Sequence, residues 1–172
     1  MDSIPEVSLK DSSLCIDNGS YQWKPITKFN KCQFESCSSV SSGGALSGSG
    51  DWILILKFCR FVECWSSGKT GAVEKSGGSF LMECCSFELC HGNGGNTESA
   101  GNAATATETA SCWESVLFLK CWDSTKEYTD NTFSFYKGSV SATRINSSQC
   151  VSSLGSICGT FNKVDAGADI SY

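Results

Sequence analysis

One phrase returns three times in this chain: "KCQFESC" at residues 31–37, "FCRFVEC" at 58–64 and "CCSFELC" at 84–90. Aligned on the first cysteine of the shared Cys-x-Phe-x-x-Cys, residues Cys32, Cys59 and Cys85 are spaced by 27 and 26 positions. Phe34, Phe61 and Phe87 follow two positions later, Cys37, Cys64 and Cys90 five later, and Phe29, Leu56 and Met82 lie three before. Several matched columns at this period are the signature of a stacked, quasi-one-dimensional architecture. Residues two apart on a strand face the same side, so Cys and Phe point together and Gln33, Arg60 and Ser86 between them point away. Stacking then sets like on like: a first cysteine column, a phenylalanine column and, past the bend at Phe-x-x-Cys, a second cysteine column. A thiol suits such a column because it packs as a small hydrophobe.

A second matched segment lies eight residues beyond the second cysteine, "GGAL" at 43–46 and "TGAV" at 70–73, with Ala45 and Ala72 in register and glycine before each for a tight corner. The run "VLFLKCWD" at 116–123 predicts a fourth, degenerate coil, with Phe118 in the apolar column of Met82 and Cys121 in the first cysteine column. Asp123 and Lys126 then stand where phenylalanine and the second cysteine would be, and a fifth coil around "INSSQCVSS" rests on Cys150. Between Cys85 and Cys121 the interval stretches to 36 residues. The extra length, "HGNGGNTESAGNAATATETAS" at 91–111, is Gly-, Asn-, Ala- and Thr-rich and reads as a loop insertion rather than a helix, whose apolar face would be only alanine.

The expected fold is therefore all-β: a right-handed, single-stranded parallel β-helix of about four to five coils with one long loop insertion. Its coils lie near 26–52, 53–78, 79–114, 115–143 and 144–172, and residues 1–25, with Tyr21 and Trp23, form a segment that caps one end. At 172 residues this is one domain, and 18 % charged residues with two prolines and abundant Gly and Ser suit strands and turns better than a helical bundle. The net charge of −5, with Lys and Arg scattered, argues against a nucleic-acid partner. The start "MDSIPEVSLKDSSLC" has no signal-peptide pattern, and "WILIL" at 52–56 is too short to cross a bilayer, so no direct membrane insertion is expected of this segment. The polar end "VDAGADISY" stops without a clear cap, which hints at a piece of a longer array.

These residues resemble repeats of the polymorphic-outer-membrane-protein type, whose signature pairs Gly-Gly-Ala-(Ile/Leu/Val) with Phe-x-x-Asn. "GGAL" matches fully, "TGAV" nearly, and "FESC", "FVEC" and "FELC" place Cys37, Cys64 and Cys90 where asparagine is usual, as in cysteine-rich eukaryotic relatives. The resemblance covers residues 26–125 and implies a pectate-lyase-like right-handed β-helix and a role in surface binding or adhesion.

The chemistry sought in such a fold begins with paired carboxylates for polysaccharide cleavage. Glu35 and Glu88 share a column two coils apart, but Val62 interrupts it, and Asp51, Asp123, Asp130, Asp165 and Asp169 are dispersed; no catalytic residue is assigned. The Cys-x4-Cys pairs follow from the repeat without zinc, and adjacent Cys84 and Cys85 point to opposite faces; no metal and no cofactor are expected. Stacked cysteines fall within bridging distance, so Cys32–Cys59 or Cys64–Cys90 disulfides would form in an oxidising compartment, while a reducing one would leave twelve thiols. Asn18-Gly19-Ser20 and Asn146-Ser147-Ser148 are sequons near chance in a serine-rich chain, and His91 reads as an exposed loop histidine. Trp65, Trp113 and Trp122 each follow a cysteine; if the cysteines face in, the indoles face out, where they stack on sugars or dock partners.

The leading functional expectation is a non-enzymatic surface or adhesion-type module, part of a longer array, whose partner is a host or self cell-surface protein or glycan. The alternatives are an intracellular structural scaffold or fragment and, third, a pectate-lyase-like carbohydrate enzyme. Localisation is open, with the cell surface favoured by the resemblance alone.

Overall fold

The computed structural model describes residues 8–10, 26–92, 102–121, 132–150, 159–164 and 169–171. Strand β1 (Ser8–Lys10) precedes a first coil made of β2 (Ile26–Asn30), β3 (Gln33–Glu35), β4 (Ser38–Ser39) and β5 (Leu46–Ser49). The second coil repeats the order as β6 (Ile53–Lys57), β7 (Arg60–Val62), β8 (Trp65–Ser66) and β9 (Thr70–Ser76). The third begins with β10 (Ser79–Glu83), β11 (Ser86–Glu88) and β12 (His91–Gly92). Two long bent strands, β13 (Asn102–Leu119) and β14 (Phe133–Ser148), each run from one coil into the next, and β15 (Gly159–Val164) and β16 (Asp169–Ser171) follow. Every pairing is parallel, and like elements of successive coils lie side by side: β2, β6, β10, then the middle parts of β13 and β14. The chain is an all-β parallel solenoid of about four turns, with no helix among the described residues and hence none able to cross a membrane.

The corners come from backbone in the left-handed region. Lys31, Phe58, Cys84, Ser115 and Arg144 have φ of 52–55° and each stands one residue before the first inward column. Ser36, Glu63, Leu89, Lys120 and Gln149 repeat this one residue before the second column, with φ of 51–55°. Such a conformation costs a non-glycine residue about 1–2 kcal/mol. Here the N–H it turns outward from its own strand reaches the next coil: Lys31 donates to the Lys57 carbonyl at 2.9 Å, Glu63 to Glu88 at 2.9 Å and Lys120 to Ser148 at 3.0 Å. Two outward residues in a row, the second left-handed, re-aim the following side chain inward on a new face. This is why Phe-x-x-Cys, rather than simple alternation, marks each bend.

Inside, Phe34, Phe61, Phe87 and Phe118 stack at centroid distances of 4.8, 4.7 and 4.9 Å with planes tilted by 3°, 6° and 16°. Phe118 thus belongs to the phenylalanine column, not to the apolar column of Met82, whose partner on the fourth coil is Trp113. Cys121 moves with it into the second cysteine column, and Val116 takes the first column. Asp123 and Lys126, expected in the inner columns, lie outside the described residues. Paired residues Ile26, Ile53, Ser79, Ala110 and Ser139 open successive coils, so the fourth and fifth begin five residues before the expected 115 and 144.

The described residues of the expected loop insertion 91–111 are strand, with His91–Gly92 forming β12. Residues 102–111 are strand, in which Ala104 pairs with Val73, the continuation of the "GGAL" and "TGAV" column. Residues 93–101 lie outside the described residues. The matched motifs do stack: Gly44 donates to the Gly71 carbonyl at 2.6 Å and Ala45 to Ala72 at 3.0 Å. Gly44 has to be glycine, since a Cβ there would meet the Trp65 and Gly71 carbonyl oxygens at 2.2 and 2.3 Å. Ahead of the first coil, β1 pairs with β3, Ser8 opposite Gln33, which extends the stack with part of the N-terminal segment.

Candidate functional site

Three features hold chemistry. The first is the pair of thiol columns. Cys32, Cys59 and Cys85 form the first, continued by Val116 and Ile145. Cys37, Cys64, Cys90, Cys121 and Cys150 form the second, one cysteine on each of five successive coils. All ten described cysteines are free, and among them Cys84 and Cys112 are exposed. The buried thiols are donors: Cys64 reaches the Phe34 carbonyl at 3.6 Å, Cys90 that of Phe61 at 3.6 Å and Cys121 that of Phe87 at 3.4 Å. Each also donates to the carbonyl two residues back, at 3.5, 3.4 and 3.5 Å respectively. A small side chain with one S–H therefore lies within reach of two corner carbonyls, between which its single proton is shared.

Stacking ties the ionisation of these thiols together. Cys64 and Cys121 are pulled below the usual thiol range by S–H groups above and below, from Cys37 and Cys90 in one case and Cys150 and Cys90 in the other. Cys90 is pushed up by complete burial and by its place as donor between them. In the first column Cys59 is lowered to about 7, chiefly by the Cys85 thiol, and Cys85 is raised in turn.

The second feature is the outer surface around Trp65. Its indole is 41 % exposed on β8, where the register sets it between Ser38 and His91 of the neighbouring coils. Trp113, expected to face out as well, is wholly buried. The left-handed Ser115 and the register of Phe118 put Cys112 outside and Trp113 inside, where it packs against Phe80 at 5.4 Å and Phe135 at 4.3 Å. The sequence rule "cysteine in, tryptophan out" fails here because Cys112, like Cys84, is not a column cysteine. Trp122 lies outside the described residues. The carboxylates on this exterior are held by basic or amide groups: Arg60 donates to Glu88 at 2.7 Å, Gln33 to Glu35 at 3.0 Å, and Lys57 pairs with Glu83.

The third feature went unnoticed in the sequence. Lys75 is fully buried, and its Nζ donates to the carbonyls of Gly50 at 2.9 Å, Ser76 at 3.1 Å and Gly77, with the Trp52 ring 4.3 Å away. It is an internal cation that ties together the glycine corners of two coils. Counting alternately from Val73 would have placed it inward. Among the described residues no cluster of three or more His, Cys, Asp or Glu is arranged to hold a metal ion. Comparison of the chain with protein-family models, with curated proteins and with solved structures finds no match in any of the three.

Proposed function

We propose that this solenoid is a non-enzymatic binding module of the surface or adhesion type, a segment of a longer array, that takes a cell-surface glycan or protein on its outer face. Trp65 carries the reading. An exposed indole fixed on a strand and flanked by the serine and histidine of adjacent coils offers an apolar plate with polar groups at its edge, which is what a sugar ring or an aromatic-anchored protein contact uses. The kinship with polymorphic-outer-membrane-protein repeats, and with it the pectate-lyase-like right-handed winding, belongs to this proposal and rests on the stacked "GGAL" and "TGAV" segments. Binding to a glycan array and to intact cells, measured for the unaltered protein and for a Trp65→Ala, Trp122→Ala double variant, tests it. A drop of about tenfold or more in affinity is expected, the loss of one or two contacts of hot-spot size. Unchanged binding by the double variant would sink the proposal.

A second reading, an intracellular scaffold, is favoured by the eight column thiols that serve as hydrogen-bond donors to corner carbonyls. Alkylation of protein taken from its native cells separates the two. Bridges within the columns go with the exported module, and twelve thiols go with the scaffold.

A further inference from the structure

The second cysteine column differs from the first in two ways: it is continuous over five coils, and one end of it is open. Cys37, Cys64, Cys90 and Cys121 are at most 1 % exposed, whereas Cys150 is half-buried. Consecutive rungs sit one coil apart, about 4.8 Å between backbones, inside the range of Cα separations that a disulfide spans. The sulfurs also share one orientation, because Cys64, Cys90 and Cys121 each donate to the same two kinds of carbonyl, at 3.4–3.6 Å. At the open end the Cys121 N–H meets the Cys150 sulfur at 3.4 Å. Thiol–disulfide exchange needs an attacking, a central and a leaving sulfur near one line. A straight column of like rotamers supplies that line at every rung.

From this geometry we propose that the column is a thiol–disulfide relay: a small disulfide oxidant makes a bridge at the open end, between Cys121 and Cys150, and exchange carries the bridge inward. In the first step the Cys150 thiolate attacks the oxidant RSSR, forming a mixed disulfide and releasing RS⁻. The Cys121 thiolate then displaces the second RS⁻, so that two thiols and one RSSR become one protein disulfide and two RSH. In the second step the Cys90 thiolate attacks the Cys121 sulfur. The Cys121–Cys150 bond breaks, its electron pair leaves on Cys150, and Cys150 takes up the proton that Cys90 gave away. A further exchange from Cys64 yields Cys64–Cys90 and leaves Cys121 and Cys150 as a thiol pair for a second oxidant. Five rungs end as two bridges and one thiol, which exchange can set only at Cys37, Cys90 or Cys150. The S–H groups flanking Cys121 favour its thiolate, the form that displaces the second RS⁻, whereas donation to Cys121 and burial push the Cys150 thiol up, so that its attack on the oxidant is the slow step. The first column has no such entrance. Cys32, Cys59 and Cys85 are at most 2 % exposed, and Val116 and Ile145 close the column where a sulfur would otherwise continue it.

The test is a time course of the native protein in excess oxidised glutathione, stopped by alkylation, with bridges mapped by mass spectrometry. Cys121–Cys150 should appear first, Cys37–Cys64 or Cys64–Cys90 later, and Cys32, Cys59 and Cys85 should remain thiols. Cys150→Ser should slow thiol loss from the rest of the column at least about tenfold. Cys90→Ser, whose hydroxyl keeps the donor to the Phe61 carbonyl, should stop at the single Cys121–Cys150 bridge; if that variant does not fold, the order of bridges in the unaltered protein decides. An inner bridge that forms first, an unchanged rate in Cys150→Ser, equal oxidation of the first column, no oxidation at all, or a Cys150 bridge to any residue but Cys121 would each overturn the relay.

Discussion

Coils one to three and coils four to five solve the same packing problem with different residues. In the first three, both cysteine columns and the phenylalanine column are unbroken. In the next two, the first cysteine column turns into Val116 and Ile145, and the phenylalanine column ends at Ser147 opposite Phe118. The space is refilled from another stretch of the coil: Phe133 stacks on Phe118 at 5.1 Å and 21°, and Trp113, Phe133 and Phe135 join in one aromatic cluster. Only the second cysteine column persists throughout. The difference shows which positions ask for volume and which ask for chemistry. The first column accepts any apolar side chain of suitable size. Both columns sit behind left-handed corners, and both reach a carbonyl of the preceding coil, Cys85 that of Leu56 at 3.5 Å and Cys90 that of Phe61 at 3.6 Å, but only the second keeps the small donor on every coil.

The comparison breaks most severely at Trp113, which substitutes for a regular column in the later coils. Trp113→Ala should lower unfolding free energy by about 3–5 kcal/mol in urea titration, since a fully buried indole leaves a cavity among Phe80, Phe118, Phe133 and Phe135. Its Nε1 is buried with no hydrogen-bond partner among the described residues, so Trp113→Phe removes an unsatisfied donor along with volume and should cost about 1 kcal/mol or less. Trp65→Ala, on the outside, should stay within about 0.5 kcal/mol. Equal effects at Trp65 and Trp113 would mean that the fourth coil is not packed in this register.

Next in size is the contrast between the two cysteine columns. Cys90→Val places a branched side chain at a site with no free space and removes the donor to the Phe61 carbonyl, a loss of about 1–3 kcal/mol. Cys85→Val also gives up a donor, to the Leu56 carbonyl at 3.5 Å, but repeats what the chain already does one coil later at Val116, and should fall within about 1 kcal/mol of the unaltered protein. If the order is reversed, the persistence of cysteine in the second column has no packing or hydrogen-bonding basis.

The period of the repeat was legible because each coil must present the same inner side chains to its neighbour. Parallel strands, stacked columns and the in-register glycine motif all follow from it. The register of the fourth coil was not, because Cys121 was matched to the first cysteine column on the strength of being a cysteine. The better anchor was "FLKC" at 118–121, which is again Phe-x-x-Cys, and it would have set Phe118 on Phe87 and turned Trp113 inward. The left-handed corners were hidden for another reason. Their residues, such as Lys31, Glu63 and Leu89, carry none of the glycine or asparagine that advertises positive φ, and the hydrogen bond that stabilises them comes from another coil. Lys75 was hidden because a buried ammonium is acceptable only where carbonyls from distant residues gather around it, and sequence does not show that gathering.

Lys75 gives the smallest and most specific test, because it lies on the regular side of the comparison yet breaks its apolar rule. Burial pushes its ammonium down to about 8 from the ordinary 10.5, with Asp51 opposing. The unfolded chain therefore holds this proton more tightly than the folded one, and the penalty of burying the charge is fully present below about pH 8. As pH rises from 8 toward 10.5 the folded protein has already lost the proton while the unfolded chain still carries it, so stability rises. Lys75→Met lacks this dependence, and its remaining corner keeps two bonds, from Gly50 N–H to the Ser76 carbonyl and from Trp52 N–H to the Gly50 carbonyl. Relative to the unaltered protein, the methionine variant should look more stable at pH 7.5 than at pH 10.5, by on the order of 1 kcal/mol. Thiol titrations occur in both proteins over that window and cancel in the difference. A difference that does not change with pH would show that the carbonyl cage and the Trp52 ring hold the charge as well as water does, and that the solenoid buries an ammonium at this corner without loss.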